Sequence, residues 1–339
     1  MEQTFQMTAD FPVDLILPWV DGNDPTFVRE RNRYATTPVP VARFVQSGEL
    51  HYVLRGVEKF MPWVTRVVLV TNGQLPSWLN LKHPHLKILT HAKFMPVSAL
   101  PTFNSCAIGM AVTKWPDLAE HFLLANDDTF VFRPVAREYF FPAPNRVNNY
   151  YAFYPRKNYG ETSYGRQLLF IRKRLKEVFS ALDFPLEPTH NISAYLKSSV
   201  APAWNLFADE LSATVQSRFR KENNMNFYLF ACMAAVQGCA QWKKRRISRL
   251  FGSDACVWEL YQNFEREINK YRPRLVCLND SENCRPQDRA KLTAYLQKVF
   301  PLASRFEKNI KGHKTLEQCV MSYNASCAPS RLAGASREK

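Results

Sequence analysis

Three consecutive polar residues, Asn126, Asp127 and Asp128, have the clearest capacity for chemistry. They directly follow the apolar run 122–125, which predicts a buried strand. Adjacent carboxylates at the end of a strand can hold a hard divalent cation such as Mg²⁺ against phosphate oxygens. An Asp-rich turn that caps the next element is the alternative interpretation. The residues alone leave both interpretations open.

Four further residues could carry chemistry, although each has an ordinary structural explanation. Asp21 lies in the turn-forming stretch Asp-Gly-Asn-Asp, which precedes a proline typical of a helix start. Asp280 belongs to an Asn-Asp pair that is well suited to cap a helix. A lone histidine such as His190 is more often structural than catalytic, and Arg220 could be helix-surface charge. Their significance therefore depends on whether the fold brings them together.

Short apolar runs recur along the chain, and polar residues follow each of them. Runs of this kind predict buried strands, and they occur at 13–17, 67–70, 86–89, 122–125 and 275–278. Segment 49–60 has apolar residues at helical spacing. Strands that alternate with helices indicate an α/β fold with a mostly parallel sheet flanked by helices. Ligands bind such sheets beyond the carboxyl ends of the strands, which is where the polar residues would lie.

The domain organisation follows from where this alternation stops. Residues 1–153 are predicted to form the first part of the α/β core. Residues 154–272 are predicted to form a mainly helical insertion or subdomain, which carries His190 and Arg220. Residues 273–322 would return to the core and 323–339 would form a flexible tail. Long helical segments are predicted at 166–182, 203–220, 225–237 and 287–300.

The composition is that of a folded globular protein with a basic surface. The 339 residues are 46% hydrophobic and 22% charged, which excludes a disordered or fibrous chain. The formal net charge of +15 attracts polyanions such as nucleotides, anionic lipid, acidic polysaccharide or nucleic acid. A solubilising surface without a specific partner is the alternative. We predict no nucleic-acid partner, because no nucleic-acid-binding module is evident.

Several features predict a cytoplasmic protein that contacts the membrane only at its surface. Residues 1–10 lack the basic and apolar regions of a signal peptide. The eight cysteines form no C-x-x-C pair and are expected as reduced thiols, with disulfides left open for Cys277, Cys284, Cys319 and Cys327. The basic stretches 166–176 and 243–246 could lie on the anionic inner face of the cytoplasmic membrane. A solvated helix face and a basic loop are the alternatives.

The order of these motifs resembles the Stealth family. The resemblance is carried by the segments 14–25, 48–64, 71–74, 100–105 and 122–128, and more loosely by 188–190, 219–226, 276–280 and 300–307. Two positions differ from the family's usual pattern: Asn191-Ile192 stands where Met-Pro is common, and Pro18 stands where Thr is common. The family includes bacterial capsular-polysaccharide phosphotransferases and the animal N-acetylglucosamine-1-phosphotransferase.

The resemblance implies transfer of a hexose 1-phosphate from a nucleotide-sugar to a hydroxyl of an oligosaccharide or polysaccharide, with Mg²⁺ or Mn²⁺ as cofactor. It favours three groups of site residues. These are catalytic His190, Arg220 and Asp21; metal-binding Asp127, Asp128 and Asp280; and donor-binding Arg55, Asn104 and Asn126.

Two other functions remain as alternatives. A metal-dependent glycosyltransferase would also use an α/β sheet with acids at strand ends, but it would attack the anomeric carbon and release a nucleoside diphosphate. A non-catalytic polyanion-binding protein, supported only by the net charge, is the more remote alternative.

Overall fold

A computed structural model describes residues 10–38, 41–152, 158–184, 188–245, 255–259 and 263–308. These residues form ten strands and nine α-helices. The strands are β1 Val13–Pro18, β2 Arg66–Thr71, β3 Leu86–Thr90, β4 His121–Leu124, β5 Thr129–Val131, β6 Val147–Ala152, β7 Ser193–Leu196, β8 Ala240–Arg245, β9 Ala255–Glu259 and β10 Leu275–Asn279. The helices are α1 Pro25–Tyr34, α2 Glu49–Phe60, α3 Ser105–Val112, α4 Ser163–Val178, α5 Lys197–Leu206, α6 Ala208–Val215, α7 Phe227–Val236, α8 Phe264–Tyr271 and α9 Pro286–Val299.

The central sheet has five strands in the order β3-β2-β1-β4-β7. The first four strands run parallel to their neighbours, and β7 pairs antiparallel with β4. The predicted α/β class with a mostly parallel sheet is therefore confirmed. All five predicted strands exist, and the predicted helix at 49–60 is α2. The carboxyl ends of β1 and β4 lie side by side, because Leu124 pairs with Ile16 in the register of these strands.

Helices cover both faces of this sheet, which is why its strands read as continuous apolar runs. Alternate side chains of β1 enter two different cores. Leu15 and Leu17 join the first core together with α2, whereas Ile16 joins the second core together with α3, α4 and α7. Gly56 lets α2 approach closely, since a Cβ there would lie 2.7 Å from the Val131 carbonyl oxygen of β5. The two cores hold the sheet rigidly between them.

Strand β10 packs in the first core but does not join the central sheet, as a return to that sheet at Leu275 would have required. It lies in a second sheet, of order β5-β10-β9, antiparallel to β5 and parallel to β9. The reason lies in β5, which begins directly after the turn at 126–128 and presents an edge to β10. The Leu278 amide donates to the Asp128 carbonyl oxygen at 3.0 Å. This pairing brings the end of β10 to the acidic turn.

The region predicted as mainly helical also contains strands. Strand β7 completes the central sheet, and β8 pairs with β6 in a two-stranded sheet. The helix predicted at 203–220 is two helices, α5 and α6, separated at Phe207. Arg220 consequently lies in the loop after α6 and not on a helix surface. A four-residue strand such as β7 is too short to display a period of its own. The division into domains remains a prediction.

The apolar side of α4 is used inside the protein. Leu168, Ile171 and Leu175 are fully buried in the second core. The helix's arginines pair with carboxylates, as Arg172 does with Asp183, and Arg174 with Glu210 and Glu177. This helix therefore does not offer its apolar side to a membrane. Peripheral membrane contact stays a prediction, and the basic stretch 243–246 extends beyond the described residues.

Two observations bear on the remaining predictions about cysteines and membrane spans. Cys277 and Cys284 form no disulfide with any of the described residues, and the same holds for Cys106, Cys232 and Cys239. Cys319, Cys327 and the predicted tail at 323–339 lie outside the described residues. None of the helices described is long and apolar enough to span a membrane.

Candidate active site

The acidic turn between β4 and β5 is fixed by one threonine. The Thr129 hydroxyl donates to the Asn126 carbonyl oxygen at 2.6 Å and accepts from the Asn126 amide at 3.0 Å. Thr129 is itself fully buried. The turn therefore has little freedom, and Asp127 and Asp128 line a cavity of about 650 Å³ beyond the sheet. The predicted strand-end acids thus lie in a cavity.

Asp127 lies in this cavity without a cationic partner among the described residues. Its Oδ2 accepts a hydrogen bond of 2.6 Å from the Gln46 side-chain amide. Burial and the neighbouring charge of Asp128 raise the pKa of Asp127 to about 7. Burial likewise raises the pKa of Glu49, another lining residue, to about 7, with a smaller contribution from the charge of Asp127. Negative charge is thus concentrated here and incompletely compensated.

His190 and Asp128 lie close together on the same cavity wall. The atoms of Asp128, His190 and Cys277 that could bind a metal ion are all within 4.8 Å of one another. His190 follows a backbone connection to β6, in which the Thr189 amide donates to the Tyr150 carbonyl oxygen at 2.9 Å. Cys277 belongs to β10, so the second sheet supplies the third member of this group. The fold therefore gathers three separate segments at the acidic turn.

These residues differ in the metal ions they suit. Carboxylate oxygens fit a hard cation such as Mg²⁺ or Mn²⁺, whereas a thiol prefers softer ions. The raised pKa of Asp127 marks a carboxylate that lacks compensating positive charge. A divalent cation at Asp127 and Asp128 would supply that charge. The acidic turn therefore fits a hard divalent cation, with the thiol of Cys277 outside the set of suitable ligands.

Arg220 is positioned by a buried asparagine that the sequence suggested for donor binding. The Asn104 amide nitrogen donates to the carbonyl oxygens of Ser217 (2.9 Å) and Phe219 (3.2 Å), and to the Asn224 side chain (2.9 Å). Its Oδ1 caps α3 by accepting from the Cys106 amide. Asn104 is fully buried and lines neither cavity described here. It acts on the site by holding the loop that carries Arg220.

The guanidinium of Arg220 is available for an anion. One of its nitrogens donates to the Ser105 hydroxyl. Among the described residues it forms no ion pair with a carboxylate. Arg218, two residues earlier, instead donates to the Leu100 carbonyl oxygen and stacks on Tyr34. Arg220 therefore brings uncompensated positive charge to the site.

Three predicted site residues have structural partners. The carboxylate of Asp280 lines the large cavity but forms a bidentate ion pair with Arg289, at 2.6 and 2.9 Å. Asp21 accepts from the Asn23 amide within its own turn and does not line the cavity. Arg55 forms a bidentate pair with Glu307, at 2.8 and 2.7 Å. Of these three, only Asp280 reaches the cavity.

A second cavity, of about 510 Å³, adjoins the first. Six residues line both cavities, which makes them the boundary between the two. They are Pro18, Ser105, Asn126, His190, Arg220 and Asn279. The histidine, the free arginine and the predicted donor-binding Asn126 therefore lie between two spaces, one of which is acidic.

Sequence reasoning missed Gln46, Glu49 and Cys277. Gln46 links the site to β1, because it also accepts from the Trp19 indole at 3.0 Å. Its segment has no periodicity that would indicate a role. Glu49 opens α2, where an acid is common because it complements the helix dipole. Cys277 looks like one more apolar strand residue. The resemblance included 48–64 and 276–280, which contain Glu49 and Cys277 but not Gln46.

Comparison with known proteins identifies the family. The family model "Stealth protein CR1, conserved region 1" matches residues 11–37, and "Stealth protein CR2, conserved region 2" matches residues 43–149. A capsular polysaccharide phosphotransferase of Neisseria meningitidis serogroup B is 32% identical over 310 residues, which are 83% of this chain and 80% of the relative. The chain belongs to the Stealth family. His190, Arg220 and Asp280 lie beyond the two matched regions.

Two further relatives carry similar names. A capsular polysaccharide phosphotransferase of Aeromonas hydrophila is 32% identical over 307 residues, covering 84% of this chain and 83% of the relative. An exopolysaccharide phosphotransferase of Lactiplantibacillus plantarum is 29% identical over 337 residues, covering 89% and 98%. Among solved structures, the galactosyltransferase LgtC matches with a TM-score of 0.43 and 8% identity, covering 88% of this chain and 98% of LgtC. A likeness at that TM-score supports no conclusion about this chain.

Proposed function

We propose that this protein transfers a hexose 1-phosphate, such as N-acetylhexosamine 1-phosphate, from a nucleotide-sugar to a glycan hydroxyl. The product would be a phosphodiester linkage in a capsular or cell-surface polysaccharide. One observation carries the proposal: His190 and an uncompensated Arg220 lie between two adjoining cavities, beside the paired carboxylates of Asp127 and Asp128. The names of the relatives, which are polysaccharide phosphotransferases, support the same activity.

The large cavity suits the nucleotide end of the donor. Asp127 and Asp128 would hold Mg²⁺ or Mn²⁺, which supplies positive charge against the diphosphate oxygens. Phe27, Phe44 and Trp19 line the same cavity and offer apolar surface to a base. Asp280 can take part only by giving up its ion pair with Arg289. A catalytic role for Asp21 and donor binding by Asn126 remain hypotheses. Asn126 lines both cavities.

Arg220 and His190 would handle the reacting groups. The guanidinium of Arg220 binds the sugar-proximal phosphate, whose oxygens match the planar fork of N–H donors. His190 removes the proton from the acceptor hydroxyl as the new oxygen–phosphorus bond forms. The bond from that phosphorus to the bridging oxygen breaks, and the nucleoside monophosphate leaves. The sugar keeps its anomeric bond throughout.

The nearest competing function is glycosyl transfer, which would use the same acids and the same donor. It differs in the bond that breaks, because attack at the anomeric carbon releases a nucleoside diphosphate. The charge on Arg220 favours phosphoryl transfer, since this reaction places the reacting phosphate between the cavities and not within the acidic one. A non-catalytic polyanion binder would show no metal-dependent turnover.

The test is to identify the nucleotide that is released. The purified protein would be incubated with Mg²⁺ or Mn²⁺, a panel of UDP-, CDP- and GDP-sugars and a capsule-type oligosaccharide primer. We expect a nucleoside monophosphate and a phosphodiester signal in the ³¹P NMR spectrum of the product, both abolished by EDTA. Release of a nucleoside diphosphate would assign the protein to glycosyl transfer instead.

A further inference from the structure

The second cavity differs in chemistry from the acidic one. Its described lining contains no carboxylate and no lysine, and Arg220 and His190 at the shared boundary are its only basic residues. The remaining wall combines amides, hydroxyls and aromatic rings with aliphatic residues and the thiol of Cys106. The rings of Tyr195 and Phe227 lie with their centroids 4.9 Å apart. A lining of amides and aromatic faces suits a neutral, hydroxyl-rich ligand with apolar faces, as a sugar ring is.

Gln167 brings an unsatisfied acceptor to this cavity. It lies on α4 and is fully buried. Its Nε2 donates to the Lys221 carbonyl oxygen at 2.6 Å, which fixes the orientation of the amide because a carbonyl can only accept. Its Oε1 is buried and has no hydrogen-bond partner. A buried acceptor of this kind is costly unless a ligand or water supplies a donor.

Asn226 brings an unsatisfied donor to the same cavity. Its Oδ1 caps α7 by accepting from the Tyr228 amide at 2.9 Å, which fixes this second amide in the same way. The remaining Nδ2 is buried and has no hydrogen-bond partner. The residues that line the cavity therefore include one fixed acceptor, on α4, and one fixed donor, at the N-cap of α7, and neither has a partner within the protein. The hydroxyl and acetamido groups of sugars carry both the donor and the acceptor that these two atoms lack.

We propose that the second cavity binds the terminal sugar of the acceptor glycan, with Gln167 Oε1 and Asn226 Nδ2 as its polar contacts. This inference rests on the proposed function. In an in-line displacement the attacking oxygen and the leaving group lie on opposite sides of the phosphorus. The leaving nucleotide occupies the acidic cavity, so the attacking hydroxyl approaches from the other side of Arg220. His190, which lines both cavities, can reach a hydroxyl presented there.

The test measures sugar binding without requiring turnover. Saturation-transfer NMR would be recorded with methyl glycosides of N-acetylglucosamine, N-acetylgalactosamine, glucose and galactose. The protein would be the His190→Ala variant, so that an added UDP-, CDP- or GDP-sugar is not consumed. We expect transfer to at least one glycoside, and we expect it to persist when the nucleotide-sugar is present. Comparison of the acetylated and plain sugars then distinguishes an acetamido group from a hydroxyl pair.

Two variants in this background test the polar contacts. Gln167→Met removes the acceptor, and Asn226→Ser removes the donor while its hydroxyl still caps α7. Each should weaken glycoside binding roughly 3- to 10-fold, as expected for one neutral hydrogen bond. The matched controls are Gln237→Met, which loses a similar bond to the Ser199 carbonyl oxygen, and Asn158→Ser, which alters another asparagine cap. Neither control residue lines the cavities.

The outcomes separate the two proposals. In an active wild-type background the same variants should raise the acceptor KM by a similar factor and leave the donor KM unchanged. Displacement of the glycoside by the nucleotide-sugar, or a rise in donor KM, would make the cavity a donor-sugar site and overturn this inference. The inference would also be overturned if no glycoside showed saturation transfer, or if the control variants weakened glycoside binding as much as the Gln167 and Asn226 variants. Release of a nucleoside diphosphate would overturn the proposed function, while acceptor binding here could still hold.

Discussion

The carboxylates of Glu307 and Asp127 have opposite electrostatic surroundings. Burial alone would raise the pKa of Glu307, but hydrogen bonds from Arg55 and His51 outweigh it and lower the pKa to about 2. Asp127 has an amide as its hydrogen-bond partner and a second carboxylate beside it, and its pKa rises to about 7. Asp14, which is buried, also has an arginine partner, because it forms a bidentate pair with Arg66.

The difference indicates which acids serve the fold and which serve chemistry. An acid that holds the fold together carries its own arginine, because an unpaired buried charge destabilises the protein. An acid that must bind a cation cannot carry one, because the arginine would compete with the ion. Uncompensated charge of both signs is found at the candidate site, negative at Asp127 in the large cavity and positive at Arg220 on the boundary of the two cavities. Four predictions test this distinction.

The largest effect is expected from Arg220. Arg220→Ala should lower kcat by about 10³- to 10⁵-fold, the range known for arginines that stabilise a transferring phosphoryl group. The melting temperature should change little, because the described partner of the guanidinium is one hydroxyl. Steady-state kinetics and thermal unfolding measure the two effects. Arg218→Ala is the control and should retain kcat, and a folded Arg220→Ala variant with wild-type kcat would refute the role.

The second-largest effect on kcat is expected from His190. His190→Gln keeps a polar side chain but no base, and kcat should fall about 10²- to 10⁴-fold, as for loss of a general base. The rise of kcat with pH that is due to the base should disappear in the variant. The pH dependence of kcat for wild type and variant is the measurement. If kcat of the variant were lower by the same factor at every pH, with the wild-type pH profile retained, His190 would be a positioning residue and not the base.

Substitution of Arg55 tests whether this residue stabilises the fold or binds the donor. Arg55→Met removes the arginine from the buried Glu307 and leaves it with His51 and Ser304 only, so the free energy of unfolding should fall by about 3–5 kcal/mol. The donor KM should stay at the wild-type value. Urea denaturation and kinetics give both numbers. The double variant Arg55→Met/Glu307→Gln should recover much of the stability. An increased donor KM without loss of stability would instead make Arg55 a donor contact.

The smallest effect is the pH dependence of metal-free stability. Asp127 keeps its proton to about pH 7 when folded but only to about pH 4 when unfolded. The folded state therefore binds more protons in this interval, and stability falls as pH rises through it. Asp127→Asn removes that fall, so the variant should match wild type near pH 4 and exceed it by a few kcal/mol above about pH 7.

Denaturant titrations across pH, with EDTA present, measure this difference. Glu307→Gln is the comparison in which stability should depend on pH in the opposite direction. The pKa of Glu307 is lower in the folded protein than in the unfolded chain, so its carboxylate stabilises the fold above the unfolded pKa, and this stability is lost as the pH falls toward about 2. Mg²⁺ or Mn²⁺ should raise the stability of wild type more than that of Asp127→Asn. Equal stabilisation of both proteins by the cation would separate Asp127 from the metal.

Local patterns in the sequence were sufficient for five of the ten strands described, whereas β5 to β9 were not predicted. The β1, β2, β4 and β10 strands are short apolar runs buried on both faces, and β3 is a similar run with Lys87 exposed; such runs are visible without a structure. The acidic turn was visible too, because it interrupts an apolar run with two carboxylates. The class of fold followed from the alternation of strands and helices. The family followed from the order of several motifs, and the comparisons confirm it.

The partners of each charged side chain were decided by tertiary structure. The sequence could not distinguish Asp280 from Asp127, because only the approach of α9 gives Asp280 its arginine. It could not separate Arg55, paired with a glutamate 252 residues away, from Arg220, which has no carboxylate. Nor could it show that Gln167 and Asn226 share a cavity. Burial and partners depend on contacts between distant segments, and those contacts set the charge, the pKa and thereby the role of each residue.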